Sequence, residues 1–198
     1  MSNGPISVDN AFDPIAATAA ATAAGWTEAE IEWELTQERA AVHAETGCYD
    51  EATPLWAEAL YLARLNFAQN DPRLATSIAN HAFALRRGGD DKMAAELFEE
   101  AVSIWKTSAL WIETLRIERM ARSSLFHLRM EMRHWDEYEK TARTRLHRFA
   151  EEAQTAVTAL AEGSCPKTPG LSRWKAEKMP NYSDRRKLLA AALLIAPG

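Results

Sequence analysis

Apolar residues recur every three or four positions along most of the chain, and long runs that alternate apolar with polar residues do not occur. The first pattern is typical of amphipathic helices, whereas alternation is the pattern of half-buried strands. The sequence therefore predicts an all-α protein.

Caps, prolines and glycines divide this pattern into individual helices. Asp13 and Pro14 predict the start of a first helix that ends at Gly25, and a capping box at 27–30 opens a second that runs to about Glu45. The other helices should cover about residues 50–69, 72–86, 93–106, 109–133, 135–161 and 183–195. We expect a flexible N-terminus at 1–12, a helical domain at 13–162, and a linker with a basic tail at 163–198.

Two stretches of the chain repeat each other at an offset of 42 residues, namely 47–59 and 89–101. The five identities pair Gly47 with Gly89, Ala52 with Ala94, Leu55 with Leu97, Glu58 with Glu100 and Ala59 with Ala101, and Trp56 matches Phe98. Small and large residues that return at a fixed period are typical of stacked helical hairpins, since one hairpin cannot cover its own apolar face.

This repeat, together with residues 49–60 and 72–105, resembles the tetratricopeptide repeat, specifically the 42-residue kind of kinesin light chains. The resemblance covers about residues 30–106 well and 109–161 weakly. It implies a short tetratricopeptide-like array, an α-solenoid of two good helical hairpins and one degenerate hairpin, with N- and C-terminal capping helices. Such repeats usually bind peptides or protein surfaces, so the implied function is that of an adaptor, assembly factor or regulator.

The resemblance also implies which residues bind the partner. In that family the first helix of each pair lines a concave groove, where an asparagine often holds the backbone of an extended peptide. Asn80 occupies the matching position, and Glu38 lies one period earlier beside Gln37. Helical spacing places three further residues on the side of Asn80, with Arg86 adjoining them: Thr76, Phe83 and Arg87.

A second candidate surface lies on the predicted helix 109–133. Its core face should hold Leu110, Ile117, Ala121, Leu125 and Leu128, while the arginines share another face with Trp111, Leu115 and Phe126. The candidate binding residues there are Arg122, His127, Arg129 and Arg133. Arginines beside aromatic rings favour an acidic or carboxylate-bearing protein segment. The alternatives are nucleic acid and a second buried seam whose arginines are solvated.

The basic tail allows two interpretations. The helix predicted at 183–195 caps the exposed end of the stack, or it is a detachable amphipathic segment that engages a partner or occupies the groove until displaced.

Composition and motifs limit the class of protein. The chain has 198 residues, 47% of them hydrophobic, which predicts one domain or one short repeat array. Its two cysteines are far apart in the sequence, which predicts free thiols in a reducing compartment. Neither its start nor its longest apolar run, 188–196, fits a secretory signal or a membrane span, so we expect a cytoplasmic protein without a membrane partner.

The sequence contains no glycine-rich phosphate loop and no nucleophile elbow, so we expect a non-catalytic protein without a cofactor. Glu131 and His134 form one metal-like step, but no second step accompanies it, and we expect no metal site. A metal- or cofactor-binding helical protein is the less favoured alternative to the adaptor. The net charge of −5 divides into −9 over residues 1–70 and +4 over residues 71–198, which could steer a partner or dock the tail on the acidic front half. Exposed apolar ends of the stack make a homodimer a further expectation.

Overall fold

The computed structural model describes residues 14–23, 25–117, 135–164 and 184–196. Within these ranges the chain forms seven helices and no strand, which confirms the all-α prediction. The helices are α1 (Pro14–Ala23), α2 (Glu28–Glu45), α3 (Tyr49–Asn66), α4 (Pro72–Arg87), α5 (Asp91–Thr114), α6 (Trp135–Ala161) and α7 (Asp184–Leu193). None of the described helices is long and apolar enough to cross a membrane.

The helix starts follow the capping signals of the sequence. Thr27 accepts a hydrogen bond from the backbone N–H of Glu30 at 3.3 Å, and the Glu30 carboxylate accepts one from the N–H of Thr27 at 2.9 Å. Asp71 caps α4 in the same way, ahead of Pro72. Gly47 and Gly89 have φ angles of 79° and 90°, a conformation that favours glycine, and they reverse the chain between α2 and α3 and between α4 and α5.

The repeated small and large residues form the contacts between the helices. Each helix from α2 to α5 packs on the next in sequence, and α5 packs on α6. The matching alanines of the repeat are fully buried, as are the large side chains Trp56 and Phe98. Because alanines let two helices approach closely while the aromatic rings fill the space beside them, the repeat in the sequence is a repeat in packing.

The end of α5 differs from the prediction. The sequence suggested a new helix from about residue 109, but α5 continues without a break to Thr114. Leu110 is 70% exposed, so the predicted core face was wrong at this position, whereas the burial of Trp111 and Leu115 agrees with the alternative of a second buried seam. The reason is that the buried side of α5 is already set by Ile104 and other residues one to two turns earlier, and a continuous helix must keep that register. Residues 118–134 lie outside the described part of the chain.

Helix α6 completes one side of the array. It packs on α5 and also contacts α4, so α2, α4 and α6 form a row of alternate helices. Arg143 of α6 holds it there, because its guanidinium donates to the carbonyls of Ile112 at 2.7 Å and Leu115 at 3.3 Å, where α5 ends. The sequence assigned 135–161 to the second helix of a third pair, but it stands in the row of the first helices α2 and α4. We call the surface of this row the trough.

Candidate functional site

The floor of the trough is polar although it is buried. The indole N–H of Trp33 donates to the hydroxyl of Ser77 at 2.7 Å, and the amide of Gln37 donates to the same hydroxyl at 3.1 Å. The amide of Asn80 donates in turn to the carbonyl oxygen of Gln37 at 2.9 Å. These bonds join α2 to α4 through a network that satisfies its buried groups, which fixes one arrangement of the two helices.

The chain's own residues 184–196, which we call the C-terminal segment, lie in the trough. Thr76 donates its hydroxyl to the carbonyl of Ala191 at 2.7 Å, and Asn80 donates its amide to the carbonyl of Leu194 at 2.7 Å. The backbone N–H of Ala196 donates to the side-chain oxygen of Asn80 at 2.8 Å. The last carbonyls of a helix lack partners within it, so the trough satisfies the C-terminal end of α7 and the turn that follows.

Apolar side chains anchor the C-terminal segment in the core. Leu188, Leu189 and Leu194 are buried, and so are the three consecutive alanines 190–192. Most of these residues belong to the same apolar core as the repeat helices, and Ala196 joins a smaller cluster that contains Trp56. The segment therefore covers the trough, and Asn80 is 0% exposed beneath it.

Ion pairs hold the beginning of α7. Arg186 meets Glu34 at 2.7 Å and Lys187 meets Glu30 at 2.8 Å. Glu30 also pairs with Arg73 at 2.8 Å, and Arg73 pairs with Asp71 at 2.7 Å. Burial by itself would raise the pKa of Glu30, but hydrogen bonds from Lys187, from the backbone of Thr27 and from Arg73 outweigh it and lower the pKa to about 2. Glu30 is therefore ionised at neutral pH.

Residues 33–107, from α2 to α5, match the family model described as tetratricopeptide repeat. Over these residues the chain is similar to tetratricopeptide repeats. The match confirms the resemblance over these two helix pairs, while the kinesin-light-chain kind stays a prediction. No curated protein and no solved structure matches the chain significantly.

The tetratricopeptide repeats bring together three of the residues that the sequence proposed for binding. Gln37, Thr76 and Asn80 meet in the floor of the trough, under the C-terminal segment. Glu38 is partly buried on the same helix as Gln37. Asn80 holds polypeptide backbone, which is the role that the family resemblance implied, although the backbone it holds belongs to this chain.

Phe83 and Arg87 lie at another edge of the repeats. The ring of Phe83 packs edge-on against Trp56, with centroids 5.8 Å apart, and also contacts Tyr49. The exposed Arg87 places its guanidinium 3.7 Å from the centre of the Tyr49 ring. Ala196 packs in the same cluster, so this edge is where the described C-terminal segment ends.

Arg86 has a structural task. Its guanidinium donates to the carbonyls of Leu160 and Ala161, the latter at 3.0 Å, and lies 4.7 Å from the centre of the Phe98 ring. A cation at these carbonyls stabilises the C-terminal end of α6. The candidate residues Arg122, His127, Arg129 and Arg133 lie outside the described part of the chain, as do Glu131 and His134.

Sequence reasoning missed the charged side chains of the trough. Glu30 and Glu34 stand one turn apart on α2, and Arg186 and Lys187 are adjacent on α7. The signal was present as an acidic front half and a basic tail, but it gave no register. Arg73 was missed because nothing in its sequence position distinguishes a buried ion-pair partner from a surface arginine.

A second concave surface lies beside the end of α5. It has a volume of about 420 Å³ and is lined by Glu113, Glu139, Lys140, Arg143, Thr144 and His147. Its charges are engaged with each other, as Arg143 pairs with Glu139 at 2.7 Å and His147 contacts Glu113 at 2.9 Å. Together with the bonds from Arg143 to α5, this indicates a role in docking α6.

Proposed function

We propose that the protein is a non-catalytic adaptor, assembly factor or regulator that holds a segment of a partner protein in the trough of its tetratricopeptide repeats. Such repeats generally mediate interactions between proteins. The observation that carries the proposal is that Thr76 and Asn80 bind backbone groups of the chain's own C-terminal segment. Backbone carbonyls and amides are present in every protein, so this chemistry suits a polypeptide ligand.

The C-terminal segment makes binding conditional. A partner segment enters the trough only when the C-terminal segment leaves it, and burial of a leucine side chain is worth about 1.5–3 kcal/mol. The segment buries three leucines and is tethered to α6 through residues 165–183. A short tether gives an effective concentration of the order of mM, so a partner binds with an apparent affinity reduced by the small fraction of open trough.

The ion pairs of the C-terminal segment offer a way to test this proposal. The variant Arg186→Glu with Lys187→Glu should loosen the segment, because two acidic side chains would then face Glu30 and Glu34. A matched control changes Lys92 and Lys106 to Glu, since both are exposed on α5 and the change in net charge is the same. Each tagged full chain is used to capture proteins from cells of the source organism.

We expect the loosened variant to capture at least ~10-fold more of a defined set of proteins than the wild type or the control. Adding Asn80→Leu to the loosened variant should abolish this gain, because the carbonyls and the amide of the bound backbone lose their partner. Equal capture by all variants would place the partner outside the trough. Material that nuclease treatment removes would favour nucleic acid as the partner.

A further inference from the structure

We infer that the trough selects a particular segment in its partner: a helix with adjacent basic residues near its start, followed by small apolar residues and an end at which the helix stops. The inference rests on the proposed function and gives the partner its chemistry. The C-terminal segment has this chemistry itself, so the partner segment and the C-terminal segment compete for one site.

The carboxylates of α2 set the charge of the partner segment. The side chains of Glu30 and Glu34 are only 11% and 9% exposed. Glu30 keeps Arg73 as a second cation, but the cation that the described residues provide for Glu34 is Arg186. A buried carboxylate without a cation is strongly unfavourable. An acidic or neutral segment would leave Glu34 in that state, whereas a basic residue in the place of Arg186 would compensate it.

The side chains of α4 set the backbone of the partner segment. Thr76 and Asn80 are one turn apart and accommodate the carbonyls of residues 191 and 194, and Asn80 also accepts from the amide of residue 196. A continuous helix uses its carbonyls and amides internally, so it cannot supply all three groups. A fully extended peptide fails as well, because its basic residues would reach too far along α2. The segment must therefore be helical at its start and open at its end.

Close packing sets the size of the side chains. Ala190, Ala191 and Ala192 are buried where α7 meets the row of helices, and α7 contacts both α4 and α6. Larger residues at these positions would hold the backbone away from Thr76 and Asn80. The sequence 185–192, which reads RRKLLAAA, thus describes the ligand in chemical terms: basic, then branched, then small.

A second copy of the chain carries the same segment and is the rival occupant. We favour another protein because the tethered segment already makes these contacts, from Arg186 at one end of the trough to Ala196 at the other, so exchange with a second copy would gain no contact and would lose the effective concentration of the tether.

The test uses the full chain with a protease recognition sequence inserted after Pro169, so that the C-terminal segment remains bound after cutting but is no longer tethered. The probe is a fluorescent peptide with the sequence of residues 183–198, and its binding is followed by fluorescence anisotropy. We expect the probe to bind the cut chain at least ~100-fold more tightly than the uncut chain, because cutting removes the effective concentration of the tether.

Charge variants then test the selection. A probe with Arg186→Glu and Lys187→Glu should bind the cut chain at least ~10-fold more weakly. A probe with Arg186→Glu alone should recover its binding on a cut chain that carries Glu34→Arg.

Four results would overturn the inference. In the first two, the cut chain never exchanges its segment for the probe, or it loses its helical circular dichroism. In the third, the charge-reversed probe binds as tightly as the wild-type probe. In the fourth, light scattering shows that the uncut chain is a dimer, as expected if two copies exchange their segments. The proposed function is tested separately. If the probe exchanges but no protein is captured from cells, the proposed function fails; if a protein is captured and the probe does not exchange, the trough is not its site.

Discussion

The interface between the repeat helices and the interface between the trough and the C-terminal segment are both buried, but they are built from different residues. Between the repeat helices, alanines alternate with Trp56, Phe98 and other large apolar side chains. Polar atoms are tolerated there without partners, since the indole N–H groups of Trp56 and Trp105 have none among the described residues. Under the C-terminal segment, Thr76, Asn80 and Glu34 each hold a defined group of α7 or of the residues just after it.

This difference indicates a division of tasks. Apolar packing is strong and not directional, so it stabilises the stack without specifying a ligand. Hydrogen bonds and buried ion pairs contribute little net stability but penalise every wrong partner, because unpaired groups are then left buried. The array is therefore the stable part of the molecule and the trough is the selective part.

The largest expected effect comes from removing a large side chain between the repeat helices. Phe98→Ala leaves a cavity at a fully buried position, and such substitutions cost about 3–5 kcal/mol. We expect the free energy of unfolding, measured by urea denaturation, to fall by this amount. Leu110→Ala on the same helix is the control, because its side chain is 70% exposed, and it should change stability by less than about 0.5 kcal/mol. Similar effects of both substitutions would contradict the stacking of α5 on α4.

The next effect concerns the trough. Asn80→Ala removes the partner of the Leu194 carbonyl, the Ala196 amide and the Gln37 side chain, at about 1–3 kcal/mol for each unsatisfied group. A net loss of about 3 kcal/mol corresponds to roughly 100-fold faster amide hydrogen exchange in residues 188–196. Mass spectrometry should localise this change to the C-terminal segment, with α3 and α5 unaffected.

Asn66→Ala is the matched control for Asn80→Ala. The side chain of Asn66 is exposed and donates only to the carbonyl of Leu62 in its own helix. Its removal should leave the exchange of residues 188–196 unchanged. Equal exchange in both variants would show that Asn80 does not hold the segment.

A smaller effect appears on acidification. The pKa of Glu30 is lowered from 4.5 to about 2 in the folded protein, so its contribution is fully present above about pH 4.5 and is lost as the pH falls towards 2. We expect stability to decline by about 2.5 kcal/mol over this window on account of Glu30. The variant Glu30→Gln, measured by urea denaturation at each pH, should lack this part of the decline. If the free energy of unfolding declines equally in both proteins as the pH falls from 4.5 to 2, Glu30 is not held as a paired carboxylate in the folded protein.

The sequence predicted the array well because its determinants are local. Ala52, Ala59, Trp56 and their counterparts recur at a fixed period, and the caps at Thr27 and Asp71 act within three residues. Helix type, most helix ends and the family followed from these signals. The break expected near residue 109 failed because no proline or glycine separates Lys106 from Thr114, and the hydroxyls of Thr107 and Ser108 donate to carbonyls of the preceding turn of the same helix instead of capping a new one.

The occupied trough could not be predicted in detail, because its determinants are far apart in the sequence. Asn80 finds the backbone of Leu194 and Ala196, and Glu34 finds Arg186. Charge asymmetry indicated that the tail and the acidic front half attract each other, but charge alone does not give a register. The position of Asn80 predicted a backbone ligand, and the fold was needed to show which backbone occupies the site.

The smallest effect concerns an ion pair that joins the two repeats at the surface. Arg64 and Glu100 are 2.9 Å apart, and their side chains are 44% and 35% exposed. Water and salt screen such a pair, so the coupling energy from the double-mutant cycle of Arg64→Met and Glu100→Gln should not exceed about 0.5 kcal/mol.

The corresponding cycle of Glu34→Gln and Arg186→Met tests side chains only 9% and 18% exposed, and its coupling energy should be at least about twice as large. Raising the salt concentration to about 1 M should abolish the first coupling and leave most of the second. If the two cycles give equal couplings with equal salt dependence, Glu34 does not act as a buried selector of charge, and the contrast between the array and the trough is one of shape alone.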